Sequence, residues 1–190
     1  MSKLSNIKPR GALVAQGYCM DLLVSYPRGY YGPAKREIVR ILRRFGDPEP
    51  HVEKSGIPGI FVAHTSLDNR HVIARCTELY HVEPELFRFA IKWLPVDYWC
   101  EKDLNAIKRL IEEQVAPRIG AQETWAMKVE RRGWGQYHTV EIIQHLAEAI
   151  DRHVRLKAPD KLVRIDVLGS AVATSVLRPG EIFSTHAPSL

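Results

Sequence analysis

One stretch of the chain, Arg131-Arg132-Gly133-Trp134-Gly135-Gln136-Tyr137-His138, sets two guanidiniums within a few residues of two flat rings. Guanidiniums pair with phosphate oxygens and rings stack on unpaired bases, so the mixture suits a nucleic acid. The arginines and His138 read as contacts. Trp134 and Tyr137 either stack on bases or pack against their own domain. A second group, Arg36, Arg40 and Arg43 with Arg44 beside them, recurs at i, i+4 and i+7 with only Glu37 nearby. On a helix that spacing makes a single stripe, which serves either as an RNA contact or as a solvated face. Lys128 and Arg164 fall on the polar sides of expected strands, and Lys157, Lys161 and Arg178 fall at loops or ends. Together they extend a basic surface.

Residues for bond-making chemistry are scarce. Gly133-Trp134-Gly135 lacks the third glycine of a dinucleotide loop, and Gly29, Gly32, Gly56 and Gly59 do not lead into the Lys-Ser or Lys-Thr of a phosphate loop. Glu141 and His145 stand one helical turn apart, as acid–base or metal pairs can, but on the polar face of a helix, where a solvated pair is the plainer account. The eight histidines and three cysteines have no metal-ligand spacing. Asp151, Asp160 and Asp166 hold a cation only in principle, since Asp151 follows a helix stripe and Asp160 suits a turn. No catalytic residue, cofactor or metal is expected.

The composition agrees with a binding role. The chain has 190 residues and a net charge of +5, with 45% hydrophobic and 26% charged residues, which allows one ordinary domain or two small ones with real cores. A basic balance favours a polyanionic partner. No apolar run approaches the roughly 20 residues of a membrane span. Met1 to Gln16 does not read as a signal peptide, and the widely spaced Cys19, Cys76 and Cys100 read as reduced thiols. A cytoplasmic protein is expected.

The elements that would position these residues follow from periodicity. Asp21–Tyr26 reads as a strand stopped by Pro27. Ala34–Phe45 is an amphipathic helix carrying Ile38, Ile41 and Leu42 inward, stopped by Gly46-Asp47-Pro48. His51–Lys54 and Ile60–His64 flank a glycine turn as a hairpin. A helix capped by Ser66 or Asp68 runs to about His81, and Leu86–Leu94 closes the unit as a strand. This β-α-β-β-α-β order is that of a ferredoxin-like domain. Beyond it come a helix at Glu101–Val115, a strand at Thr124–Glu130, a helix at Thr139–His153 burying Val140, Ile143, Leu146 and Ile150, and strands at Lys161–Leu168 and Ala171–Leu177.

The second half resembles the THUMP domain behind its N-terminal ferredoxin-like domain. The segment Val154-Arg155-Leu156-Lys157-Ala158-Pro159-Asp160-Lys161-Leu162-Val163-Arg164-Ile165-Asp166-Val167 is similar to the family pattern: a hydrophobic pair, a loop with Pro and an acidic residue, then V-x-[VI]-[DE]-[VI]. Trp125-Ala126-Met127-Lys128-Val129-Glu130-Arg131-Arg132 resembles its first strand, ending in arginine. Arg155 departs from the pattern, which often has a polar or acidic residue there. Leu94-Pro95-Val96 followed by Cys100 resembles the stand-alone THUMP proteins that assist a tRNA cytidine acetyltransferase.

The resemblance covers roughly residues 20 to 184 and implies an α/β (α+β) fold: a tail at 1–18, a ferredoxin-like domain at 19–95, a THUMP RNA-binding domain at 96–184 and a tail at 185–190. It also implies tRNA as partner and a separate acetyltransferase or other modification enzyme as recipient. The few residues after Gly180 are too short for a catalytic domain of about 150 residues, so the chain is expected to act as a non-catalytic adaptor. The rivals are a structural RNA-binding component and a small hydrolase or transferase using Glu141, His138 or His145.

Overall fold

The computed structural model describes residues 20–186. Cys19 and the expected tails, except for residues 185 and 186, lie outside the described residues. The chain forms two compact units, one of them Asp97–Pro179, the other running to Val96 and resuming at Gly180.

In the first unit the order is β1 (Met20–Ser25), α1 (Tyr31–Arg44), β2 (His51–Lys54), β3 (Ile60–Thr65), α2 (Asn69–Val82) and β4 (Lys92–Val96). The second contains β5 (Tyr98–Glu101), α3 (Leu104–Leu110), β6 (Trp125–Arg132), α4 (Thr139–Ala147), β7 (Lys161–Leu168) and β8 (Ala171–Leu177). A last short strand, β9 (Phe183–Ser184), pairs with β4. Residues 183–184, expected in the second domain, thus belong to the first sheet, whose order is β2-β3-β1-β4-β9. All its pairings are antiparallel. The mixed α/β architecture matches the expected fold class.

Apolar alternation explains the first core. Leu22 and Val24 of β1, Phe61 and Ala63 of β3 and Trp93 of β4 meet Ile38, Ile41 and Leu42 of α1 and Val72, Ile73 and Cys76 of α2. Of the two candidate caps for α2, Asp68 does the work, accepting from the His71 amide at 2.8 Å. The expected strand at Leu86–Leu94 begins only at Lys92, because the backbone before it is occupied elsewhere. Glu37 of α1, itself buried, accepts from the amides of Arg88, Phe89 and Ala90 at 3.2, 3.0 and 2.8 Å. A carboxylate that accepts three N–H groups is an alternative to ladder pairing, and it binds this segment to α1.

In the second unit the sheet order is β5-β8-β7-β6. The helix expected from Glu101 starts at Leu104, where Asp103 accepts from the Ala106 amide at 2.8 Å. It closes in a wider π turn at Ile111–Val115. The residues ahead of it form β5, a strand that periodicity missed because it is four residues long. The helix expected to run to His153 ends at Ala147, with Ile142 and Leu146 buried and Val140 exposed. The inward stripe is thus Ile142, Leu146 and Ile150 rather than one led by Val140. Burial pushes the Cys100 thiol up to about 12 and raises that of Cys76 as well, leaving both as packing groups.

His64 on β3 carries the clearest pH signal. Burial opposes its charge, but a 2.6 Å hydrogen bond with Asp21 and the nearby Glu53 carboxylate outweigh that and raise its pKa. A raised folded pKa means a stabilisation complete below the unfolded value of about 6.5 and lost as pH rises through the folded value. Urea midpoints measured from mildly acidic to mildly alkaline pH should therefore fall for the wild type, and His64→Gln should flatten that fall. Equal slopes would remove the pair from the account. Separately, Glu37→Ala removes the acceptor of three amides, one buried and two part-buried, and should cost about 3 kcal/mol, read from the same midpoints; a cost under about 1 kcal/mol would show that water replaces the carboxylate.

Candidate nucleic-acid interface

The register of the second sheet sorts the candidate residues. β6 and β7 run parallel with Trp125 opposite Lys161 and Arg132 opposite Leu168, while antiparallel β8 places Leu177 beside Leu162. The start of β6, the start of β7 and the end of β8 therefore share one end of the sheet. Lys157, Lys161 and Arg178 belong to that end. Arg131, Arg132, Trp134, Tyr137 and His138 belong to the other, about 23 Å away at about 3.3 Å per residue. The two groups are not one site.

At the 131–138 end the side chains are committed to structure. Arg131 donates through Nη1 to the carbonyl of Trp134 at 2.8 Å and to that of Tyr137, folding the turn around its own guanidinium. Trp134 is only 5% exposed and meets Tyr137 edge-on at 5.5 Å. Of the two readings of Trp134, packing is the one observed. His138 is exposed and begins α4, its amide donating to Glu141 Oε2 at 2.7 Å. Glu141 is thus a helix cap rather than half of a solvated Glu141–His145 pair.

The strand arginines are spoken for as well. Arg164, expected on an outward polar side, is 4% exposed and donates to both carboxylate oxygens of Asp166, Nε to Oδ2 at 2.7 Å and Nη2 to Oδ1 at 3.2 Å. Arg132 adds a 2.7 Å bond to the same Oδ1, and Glu130 lies 3.5 Å from Arg164 and 3.7 Å from Arg132. Parallel register forces this cluster, because it sets Lys128 beside Arg164 and Glu130 beside Asp166. Asp166, weighed above as a cation ligand, is instead neutralised by arginine. Lys161 is 7% exposed, 3.7 Å from Glu123. Charge alone suggested these residues as surface; their acidic partners come from the same strand, the neighbouring strand or an adjacent turn.

At the opposite end the cations other than the buried Lys161 are exposed. The loop from Asp151 to Asp160 exposes Arg152, His153, Arg155 and Lys157, with Val154 and Leu156 also exposed. It is nonetheless fixed. The Trp125 amide donates to the His153 carbonyl at 3.0 Å, the Arg155 amide to the Trp125 carbonyl at 2.8 Å, and the Trp125 indole to the Arg152 carbonyl at 3.0 Å. Asp160 accepts from the Thr124 hydroxyl at 2.6 Å and its amide at 2.8 Å, bonds that hold its carboxyl below the usual range. Lys128 on β6 and Arg178 after β8 are exposed too, Lys128 lying 3.8 Å from Glu130. Arg152, His153 and Arg155 are not among the contact residues that type and spacing single out, although Pro159 and Asp160 close by suit a turn.

In the first unit, Lys35, Arg36, Arg40 and Arg43 line an open groove of about 520 Å³ with Gly32 and Val39. Among the described residues no carboxylate lines it. Glu37 does not temper this stripe, because it points to the loop at residues 88–90. Arg40 donates to the Leu86 carbonyl at 3.4 Å, and Arg44 is ion-paired to Glu83, which holds the Glu83 carboxyl below its ordinary range. Arg36 and Arg43 are exposed.

The sequence of residues 101–177 matches the THUMP domain family. The chain carries a THUMP domain. No curated protein matches the sequence. Among solved structures, PH1313 from Pyrococcus horikoshii Ot3 is similar at 14% identity and a TM-score of 0.58, over 84% of this chain and 55% of its own. TrmN from Thermus thermophilus is similar at 16% and 0.59, over 85% of this chain and 47% of its own. At such identities the likeness is one of fold, and this chain spans about half the length of each. Among the described residues no helix is long and apolar enough to cross a membrane, and no group of His, Cys, Asp and Glu is placed to hold a metal.

Reversing the charges of Arg131 and Arg132 would test folding before it tested binding. Asp166→Ala leaves Arg164 with its main partner removed inside the THUMP sheet, and should destabilise the protein by about 3 to 5 kcal/mol. Calorimetric unfolding reads this directly, and a loss within the range of ordinary surface substitutions would mean the cluster is solvated.

Proposed function

We propose that this protein is a non-catalytic, cytoplasmic tRNA-binding adaptor that presents tRNA to a separate modification enzyme, the cytidine acetyltransferase that forms N4-acetylcytidine. The observation that carries the reading is the THUMP domain at residues 101–177, since that domain is an RNA-binding module. Beside it, the first unit is read as ferredoxin-like from its β-α-β-β-α-β order and its antiparallel sheet order β2-β3-β1-β4. Folded RNA is read through phosphates and 2′-hydroxyls more than through base edges, a task that asks for fixed cations and little else.

The contact residues in this reading are chosen by exposure. Within the THUMP unit they are Arg155, Lys157 and Arg178 at the loop end, with Lys128 on β6, whereas Arg152, although exposed, already donates to the Ile119 and Asp151 carbonyls at 3.3 and 2.6 Å. In the first unit they are Arg36, Arg40 and Arg43. His138 and Tyr137 remain candidates at the opposite end, and Arg131, Arg132, Trp134, Lys161 and Arg164 support the fold beneath. The Leu94-Pro95-Val96 segment ahead of Cys100 supports the acetyltransferase as recipient through its likeness to the stand-alone adaptors.

If about four phosphates are contacted, tRNA affinity should fall about a hundredfold between roughly 50 and 200 mM salt. The double substitution Arg155→Glu and Lys157→Glu should weaken binding at least tenfold and reduce that salt slope. Filter binding checks both, and an affinity indifferent to salt would defeat the reading. Acetylcytidine in tRNA from cells lacking the gene separates the adaptor from a structural RNA-binding protein: loss of the modification is expected, and an unchanged level rejects the acetylation role.

A further inference from the structure

The N-terminal end of α1 joins two features that the cationic stripe alone does not explain. Tyr30 is 49% exposed, yet its ring is held, stacked on Phe89 with centroids 5.0 Å apart and planes at 26°. Phe89 is fixed in turn by Glu37, which accepts its amide at 3.0 Å. The turn that presents Tyr30 is ordered by a 3.2 Å bond from the Tyr30 amide to the Pro27 carbonyl, with Gly29 at φ 90 supplying the left-handed residue the turn needs. The neighbouring Tyr31 differs: Lys54 sits 4.8 Å over its ring and Phe61 lies against it at 5.0 Å. Of these two, Tyr30 is the one that offers a backed ring with an open side.

One residue pair further along α1 begins the groove lined by Gly32, Lys35, Arg36, Val39, Arg40 and Arg43. Among the described residues its four cations face no lining carboxylate, and Gly32 lies close under Arg36 at its mouth, where an added Cβ would meet the guanidinium at 3.4 Å. Arg28 and Arg88 are exposed on the two segments that bracket Tyr30 and Phe89. Cations for a phosphate chain beside a single pre-set aromatic platform answer to a polyanion whose rings are unpaired. A duplex fits poorly, because its bases stack on one another and show no free face. An acidic peptide would satisfy the arginines and leave the platform idle.

We propose that Tyr30, backed by Phe89, and the α1 groove form a subsite for an unpaired stretch of RNA, one base stacking on Tyr30 while the adjoining phosphates run along Arg36 and Arg43. This rests on the tRNA-binding reading and narrows it: the first unit takes a single-stranded part of the molecule. Glu37 acts here as a positioning residue. By tying the loop at residues 88–90 to α1, it fixes the platform beside the cations before any ligand arrives.

The test compares the full chain and its variants by fluorescence anisotropy on labelled oligouridylate, a blunt RNA duplex and tRNA. Tyr30→Ala should weaken oligouridylate binding about tenfold, the scale of one lost base–aromatic stack, with duplex affinity unchanged. Tyr30→Phe should bind as the wild type does, and Tyr30→Leu should behave like the alanine variant, since it covers Phe89 without offering a ring. Arg36→Glu should weaken both RNAs. Unchanged oligouridylate affinity in Tyr30→Ala, full affinity in Tyr30→Leu, or an equal loss on the duplex would overturn the subsite while tRNA binding by the wild type stands. Failure of the wild type to bind tRNA at all would bring down the wider reading and this one with it.

Discussion

Parallel pairing of β6 with β7 obliges the chain to travel back along the sheet before it can start the second strand, since two parallel strands cannot be joined by a tight turn. Helix α4 and the 151–160 loop make that journey. The loop arrives at the end of the sheet where β6 begins, and there Trp125 and Thr124 take hold of it through backbone and side-chain bonds. A segment with no regular structure thereby becomes a fixed platform. Ordering entropy that a loose basic loop would lose on meeting RNA has already been offset by these bonds in folding.

The same register decides which cations remain available. Alternation along β6 and β7 directs Lys128, Glu130 and Arg132 and, beside them, Arg164 and Asp166 to one face, and burial there requires that charges be matched. Asp166 receives Arg164 and Arg132, with Glu130 close to both. In α1 the logic runs in reverse. The one acidic residue within the basic stripe turns inward to satisfy three amides, so the stripe keeps its full positive charge. Net charge of +5 therefore says less than the placement of each carboxylate.

Long amphipathic elements were legible in the sequence. Ile38, Ile41 and Leu42 give α1 its inward face by helical spacing alone, and β7 and β8 alternate around Gly169 as a hairpin must. The misses depend on bonds that residue type does not announce, some between distant segments and some within a single loop. Nothing in Arg88-Phe89-Ala90 announces that Glu37 will capture it and delay β4. Arg131 and Trp134 carry the residue types of an RNA contact, and only the fold shows the guanidinium turned onto carbonyls of its own loop. Trp134 was readable either way, because a large ring is as useful in a core as on a base. For Tyr30 a signal did exist, in the Arg28-Gly29-Tyr30-Tyr31-Gly32 run of cation, turn residue and aromatic, but its meaning depends on Phe89, almost sixty positions on.

Both candidate surfaces follow one design, in which a side chain that bears no ligand holds the residues that would. Trp125, Thr124 and Asp160 do this for the loop cations, and Glu37 and Phe89 do it for Tyr30 and the α1 groove. The two differ in what they offer. The loop presents charge with scattered exposed aliphatics, suited to a backbone read by its phosphates, whereas α1 adds a ring that distinguishes an unpaired base from a paired one. An adaptor that delivers one kind of RNA needs such a distinction somewhere, because phosphate contacts are the same in every duplex. Stacking supplies it without reading sequence, so under the proposed adaptor role the choice of target base would fall to the modification enzyme.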